Sequence, residues 1–170
     1  MTIRTATEKD IPAITRVYTQ SWQSTYQGLL PEPFLKAINP VSAEKTFRES
    51  FQSEGFSYFV LAAENEDGEI MGYLDGGKDR DTLGDGLGLG EIYGMYLLEP
   101  FQRRGIGGEL LRESFKKFRD LGFLEIRAWV LREGLARGFY EKEGGRLAAE
   151  SKLMTIEKDS ATLVSYRWNL

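Results

Sequence analysis

The chain has no cysteine and no histidine among its 170 residues. The first absence excludes disulfides, thiolate metal sites and a cysteine nucleophile. The second excludes a Ser-His-Asp triad and a histidine general base. Acid–base work therefore falls to carboxylates, tyrosines, lysines or water, and no metal is expected. No apolar run approaches the ~20 residues that span a bilayer, and Met1-Thr2-Ile3-Arg4 lacks the apolar region of a secretory signal. A cytoplasmic protein without a membrane partner is expected. A net charge of −4 argues against a nucleic-acid partner and suits cationic substrates.

What is present is the composition of a globular domain. An apolar fraction of 41% over 170 residues can build one sizeable core. There is no internal repeat and no linker, so residues 1–170 are expected to form a single α/β (α+β) domain.

The most informative stretch is Glu91 to Leu111, E-I-Y-G-M-Y-L-L-E-P-F-Q-R-R-G-I-G-G-E-L-L. Ile92 to Leu98 reads as a buried strand, and Glu99-Pro100 breaks it. Leu110, Leu111, Phe115 and Phe118 then recur at helical spacing. Between strand and helix lies Gln102-Arg103-Arg104-Gly105-Ile106-Gly107-Gly108. A helix N-terminus offers unpaired N–H groups and the positive end of the macrodipole to an anion. Glycine lets the backbone approach, and arginine adds charge-assisted bonds. The stretch reads as a diphosphate cradle. It is neither G-x-x-x-x-G-K-[ST] nor G-x-G-x-x-G, because Leu110 stands at the third glycine position of the latter.

The remaining pattern, Gln-x-x-Gly-x-Gly after a strand and a proline, resembles the acetyl-CoA-binding motif of the GNAT N-acetyltransferases, [RQ]-x-x-G-x-[GA]. Farther along, Trp129 to Gly145 reads W-V-L-R-E-G-L-A-R-G-F-Y-E-K-E-G-G. This is similar to the family's strand ending in Val-Leu followed by Asn-x-Ala-x-x-Phe-Tyr-x-x-x-Gly-Phe. Ala136, Phe139, Tyr140 and Gly144 are in register with it. Gly134 stands where Asn is usual, which removes one side-chain hydrogen bond, and Gly145 stands where Phe is usual.

The resemblance, which extends over nearly the whole chain, implies a mixed sheet of six to seven strands flanked by helices, with splayed central strands. It implies acetyl-CoA as cosubstrate. Met95, Tyr96 and Leu97 would offer backbone groups to the pantetheine arm, with the Leu97 N–H as oxyanion donor. Gln102, Arg103, Arg104, Gly105, Ile106, Gly107 and Gly108 would hold the diphosphate, and Gly134, Ala136 and Phe139 would complete the cofactor site. Tyr140 would protonate the coenzyme A thiolate; otherwise it is an amphipathic core tyrosine. Glu91, eleven residues before Gln102, takes the position of the catalytic glutamate of histone-type members, with a water relay from the backbone or Tyr93 as the alternative. Members acting on ribosomal-protein N-termini instead carry a glutamate five residues before the Asn position, where this chain has Trp129.

Ser21 to Pro31, S-W-Q-S-T-Y-Q-G-L-L-P, resembles a run found in bacterial GNAT proteins of unassigned substrate. Trp22 and Tyr26 are four apart and share a helix face. They either wall an amine pocket through cation–π contact or pack their helix onto the sheet. Asp75, Asp79, Asp81 and Asp85 either attract a cationic substrate or simply solubilise a loop.

The rest of the chain alternates strands and helices. Strands are expected at Ile3–Ala6, Phe56–Ala63, Glu69–Leu74, Leu124–Leu131, Lys152–Ile156 and Thr162–Trp168, the last two forming a hairpin about Lys158-Asp159. A helix should start at Thr7 to Asp10, with a second helical region over Trp22–Leu30 and another over residues 41–52. Gly76 to Gly90 reads as a polar, glycine-rich, flexible loop. The function expected is acetyl transfer from acetyl-CoA to a primary amine, by direct attack in a ternary complex. A small-molecule acceptor is preferred to a protein lysine or N-terminus, and a non-catalytic acyl-CoA-binding module is the rival of another class. By resemblance only, a homodimer is expected.

Overall fold

The computed structural model describes residues 1–52, 58–81, 88–156 and 159–170. Its seven strands are β1 (Thr2–Thr5), β2 (Phe59–Glu64), β3 (Ile70–Lys78), β4 (Leu89–Leu97), β5 (Glu125–Leu131), β6 (Arg146–Ile156) and β7 (Asp159–Asn169). They form one sheet in the order β1-β2-β3-β4-β5-β7-β6. Every neighbouring pair is antiparallel except β4 and β5. The sheet is therefore mixed and flanked by helices, as expected.

Helices α1 (Ile11–Thr25), α2 (Glu32–Ala37) and α3 (Pro40–Gln52) cover one face; α4 (Ile106–Asp120) and α5 (Ala136–Lys142) belong to the other. Phe59, Leu61 and Ala63 of β2 meet the core under α4, while Val60 and Ala62 meet the core under α1 and α3. A strand buried on both faces reads as a continuous apolar run, which is how β2 appears in the sequence. Thr7 and Asp10 close a capping box ahead of α1, and Pro12 lies in its first turn, where a missing N–H costs nothing.

Several boundaries differ from the sequence expectation. The helical region expected over Trp22–Leu30 is the end of α1, which runs unbroken through Trp22 to Thr25. The chain then turns at Gly28, φ 78°, and α2 starts directly after Pro31 with Pro33 inside its first turn. There proline favours a helix start and does not break it. The strand expected to end at Leu74 continues to Lys78, and β4 begins at Leu89. Glycines disguised both extensions. A Cβ on Gly76 would lie 2.7 Å from the Glu91 carbonyl and 2.8 Å from the Phe118 ring, and one on Gly90 would lie 2.6 Å from that ring. Glycine here permits close packing under α4 and does not signal a loop. The terminal hairpin strands are also longer than expected. Phe56 and Ser57 of the expected second strand, loop residues 82–87 with Asp85, and Lys158 lie outside the described residues.

Candidate active site

The parallel ladder between β4 and β5 is short, running only from Leu89↔Glu125 to Ile92↔Ala128. Beyond it, β4 stays with β3 as far as Leu97, and β5 stays with β7 as far as Leu131. The two halves of the sheet therefore diverge into a wedge. A bulge marks the point of divergence: Asp75 pairs with Gly94 and Gly76 with Ile92, so Tyr93 is the extra residue.

Past the bulge, β4 has backbone groups with no strand partner among the described residues. The Leu98 N–H donates to the Met71 carbonyl at 2.9 Å, and strand alternation then turns the N–H and C=O of Leu97 and Met95 toward the wedge, while Tyr96 faces β3. The Leu97 carbonyl accepts from the Gln102 side-chain amide at 3.0 Å and from Ser21 Oγ at 3.2 Å. Gln102 thus ties the cradle to the wedge.

The cradle follows. Arg103 (φ 58°) and Gly105 (φ 84°) both adopt left-handed backbone, and Gly105 caps α4. The Glu109 N–H donates to the Gly105 carbonyl at 3.1 Å, so the N–H groups of Ile106, Gly107 and Gly108 project from the helix end. Gly107 lets α4 close on α5: a Cβ there would lie 3.3 Å from the Phe139 ring and 3.5 Å from Leu97. Arg103 and Arg104 are exposed beside these groups. The wedge, the projecting N–H groups and the two cations fit the pantetheine and diphosphate of acetyl-CoA in shape and charge.

Between β5 and α5, the Gly134 N–H donates to the Leu131 carbonyl at 2.9 Å, and Ala136 opens α5. Tyr140 follows on the same helix, buried against Trp168 and Phe139 with ring centroids 5.3 Å away in each case. Burial, with a smaller contribution from Tyr26, holds its phenol well above the usual tyrosine range. It keeps its proton at any physiological pH.

On the other face of the sheet lies a cavity of about 840 Å³ walled by α1, α2, α3, β3 and β4. Aromatic rings are prominent in its walls, among them Tyr18, Trp22, Phe34, Tyr58, Tyr73, Tyr93 and Tyr96. Trp22 both lines the cavity and packs, its ring 4.6 Å from Tyr26 and 5.7 Å from Tyr18. Tyr26 stands behind Trp22 and outside this lining.

The acidic residues divide sharply. Glu91 is 1% exposed, and Arg80 holds both of its oxygens. Oε1 accepts from the guanidinium at 2.5 and 3.2 Å, and Oε2 accepts from the Arg80 backbone N–H at 2.9 Å. Arg80 also lies 4.2 Å above the Tyr93 ring, whose hydroxyl donates to the Lys78 carbonyl at 2.6 Å. Asp79 ion-pairs with Arg127, which also meets Asp81 at 2.9 Å; Lys152 meets Asp81 at the same distance. These two aspartates are held in a network and are not loose loop charges.

Asp75 differs from all of them. It is buried on β3, lines the cavity, and accepts from the Tyr58 hydroxyl at 3.3 Å. Burial pushes its carboxyl up to about 7, opposed by the positive charge of Arg80 and by the Tyr58 bond. The sequence left Asp75 open between attracting a cationic substrate and solubilising a loop, grouped with Asp79, Asp81 and Asp85, and did not single out Tyr58 or Arg80. The available signal was Tyr73-x-Asp75: once β3 is carried past Leu74, the two share a face.

Comparison with known proteins identifies the family. Residues 15–145 match the Acetyltransferase (GNAT) family. An uncharacterized N-acetyltransferase, YuaI of Bacillus subtilis, is 31% identical over 150 residues, covering 88% of this chain and 83% of its own. Spermidine N(1)-acetyltransferase of Thermoplasma acidophilum is 26% identical over 145 residues, covering 84% and 86%. Among solved structures, the ribosomal-protein-alanine N-acetyltransferase of Brucella melitensis superimposes with TM-score 0.78 at 21% identity over 100% of both chains. The PaiA N-acetyltransferase of T. acidophilum in complex with coenzyme A does so with TM-score 0.73 at 21% identity, over 99% of this chain and 100% of its own. The chain belongs to the GNAT family and is an acetyl-CoA-dependent N-acetyltransferase.

Proposed function

We propose that the enzyme acetylates the primary amine of a small molecule by direct attack in a ternary complex. The observation that carries this reading is the ring-walled cavity of about 840 Å³, which reaches the β4 bulge from the face opposite α4. Its volume falls in the range of small-molecule sites, and its rings favour a cation. The name of the T. acidophilum spermidine acetyltransferase supports the same acceptor class.

Bound acetyl-CoA supplies a thioester whose carbonyl carbon accepts a neutral amine. Met95 and Leu97 would pair with the pantetheine amides, and Gln102 to Gly108 would hold the diphosphate. The amine arrives as an ammonium, and a carboxylate on the cavity side must take its proton before the C–N bond forms. The Leu97 N–H steadies the charge that develops on the carbonyl oxygen. As the C–S bond breaks, Tyr140 donates its proton to sulfur and regains one from the acylated nitrogen through water. Two carboxylates, Glu91 and Asp75, stand near the bulge to act as base. A cytoplasmic location and a homodimer belong to the same reading.

Thiol release from acetyl-CoA should be measured against polyamines, arylalkylamines, aminoglycosides, amino acids and short peptides, with calorimetric titration of acetyl-CoA alongside. Release with a small amine supports the reading. Release with peptides alone moves the acceptor to proteins, and binding without release on any amine defeats the reading.

A further inference from the structure

We infer that Asp75 is the group that seats the substrate ammonium and takes its proton, and that Glu91 serves as a positioning residue for Arg80. The inference rests on the acetyl-transfer reading above and deepens it. Three observations carry it.

The first is placement. Asp75 lines the amine cavity, whereas Glu91 does not. Asp75 pairs with Gly94, where a Cβ would come 3.0 Å from Asp75 Oδ1. The missing side chain lets the carboxylate lie over the bulge. Gly94 immediately precedes Met95, whose N–H is the first beyond the bulge to face the wedge.

The second is the state of the two carboxylates. Glu91 accepts three hydrogen bonds from Arg80, which leave its two oxygens committed to that partner. Among the described residues Asp75 accepts one side-chain hydrogen bond, from Tyr58, besides its own backbone N–H, and keeps acceptor capacity toward the cavity.

The third is the company Asp75 keeps. It is faced by the phenols of Tyr18 from α1, Tyr58 just before β2, Tyr73 beside it on β3 and Tyr93 and Tyr96 from β4; the charged neighbours are Arg80 and Glu91. Glu49 of α3 is exposed and reaches the cavity from its outer wall. An ammonium entering this chamber finds rings on its flanks and one buried carboxylate at its base. That combination favours an amine with a single leading ammonium on an apolar or flat body. A carboxyl pushed up to about 7 by burial is matched to proton transfer at neutral pH. The step itself is simple: the N–H bond of the ammonium breaks, an O–H bond forms on Asp75, and solvent later removes that proton.

The test uses Asp75→Asn, Glu91→Gln and Tyr58→Phe, with phenethylamine and spermidine as probes. For each, kcat/KM for the amine is recorded from pH 5.5 to 9. Amine binding to the protein without acetyl-CoA, and acetyl-CoA binding alone, are followed by calorimetry. Wild type should show an acid limb near pH 7. Asp75→Asn should lose at least 100-fold in kcat/KM, lose the limb and lose the amine-binding heat, with acetyl-CoA affinity unchanged. Glu91→Gln should keep the limb. Tyr58→Phe should move it to higher pH, because the bond it removes favours the charged carboxylate. An unchanged limb in Asp75→Asn, or its disappearance in Glu91→Gln, overturns the inference while leaving acetyl transfer intact. An inactive wild type that binds acetyl-CoA overturns the acetyl-transfer reading and this inference together.

Discussion

Gly145 and Trp168 share one space: a Cβ on Gly145 would lie 2.6 Å from the indole ring and 2.8 Å from the Tyr140 carbonyl. The Gly145 N–H donates to that same carbonyl at 2.8 Å, and the indole N–H donates to the Glu143 carbonyl at 3.0 Å. The departure from Phe at this position thus has a cause within the chain, since the Trp168 ring fills the space beside Tyr140. Gly145→Ala should overpack this corner and cost about 1–3 kcal/mol. Thermal unfolding should show a fall of about 2–4 °C per kcal/mol for a chain of this size.

The same corner holds the proposed acid. Tyr140→Phe keeps the ring packing against Trp168 and removes the hydroxyl, so stability should change little. We expect turnover to fall by about 10²-fold, within the usual range for a general acid, with acetyl-CoA affinity unchanged by calorimetry. Because burial holds the phenol above its ordinary range, the wild-type rate should show no basic limb from this group up to pH 9.

At the cradle, Gly107→Val would drive new methyl groups into Phe139 and Leu97, which already lie 3.3 and 3.5 Å from a Cβ at that position. The N-terminus of α4 must then shift away from the wedge. Acetyl-CoA should bind at least tenfold more weakly, while the heat of amine binding measured without acetyl-CoA stays the same.

The raised carboxyl of Asp75 also makes a prediction about folding. A carboxyl at about 7 in the folded state and near 3.9 unfolded binds more protons folded than unfolded between those values. Its contribution is fully present below about pH 4 and is lost as pH rises through 7. Asp75→Asn should therefore raise the melting temperature at pH 8, by no more than the equivalent of about 4 kcal/mol. The gain should vanish at pH 4. Melting curves at the two pH values decide it.

The cradle was legible in the sequence because its requirements are local. Gln102 to Gly108 needed only a strand before, a helix after and a glycine at the helix cap, where Gly105 has positive φ; the positive φ of Arg103 had no such signal. The ring-lined chamber was hidden because its parts meet only in three dimensions. Tyr18, Tyr58, Asp75 and Tyr93 come from α1, the residue before β2, β3 and β4, and Asp75 sits against a run of glycines that imitates a loop. Gly76 and Gly90 are small because Phe118 crosses over them from α4, a packing demand that no local pattern announces. Glu91 shows the converse: its spacing from Gln102 was plain, whereas its bond to Arg80 depends on how the chain returns from β3.

The brief β4–β5 ladder has a consequence for the physical behaviour of the whole molecule. Two half-sheets joined through a few residue pairs form a structure with a seam, and an extended ligand paired to Met95 and Leu97 would act as a temporary strand that closes it. Occupancy and folding then become linked quantities, with saturating ligand adding RT ln(1 + [L]/Kd) to the unfolding free energy. Amide exchange along residues 93–97 should slow in step with that gain, so that the enzyme's rigidity rises and falls with the supply of its cosubstrate.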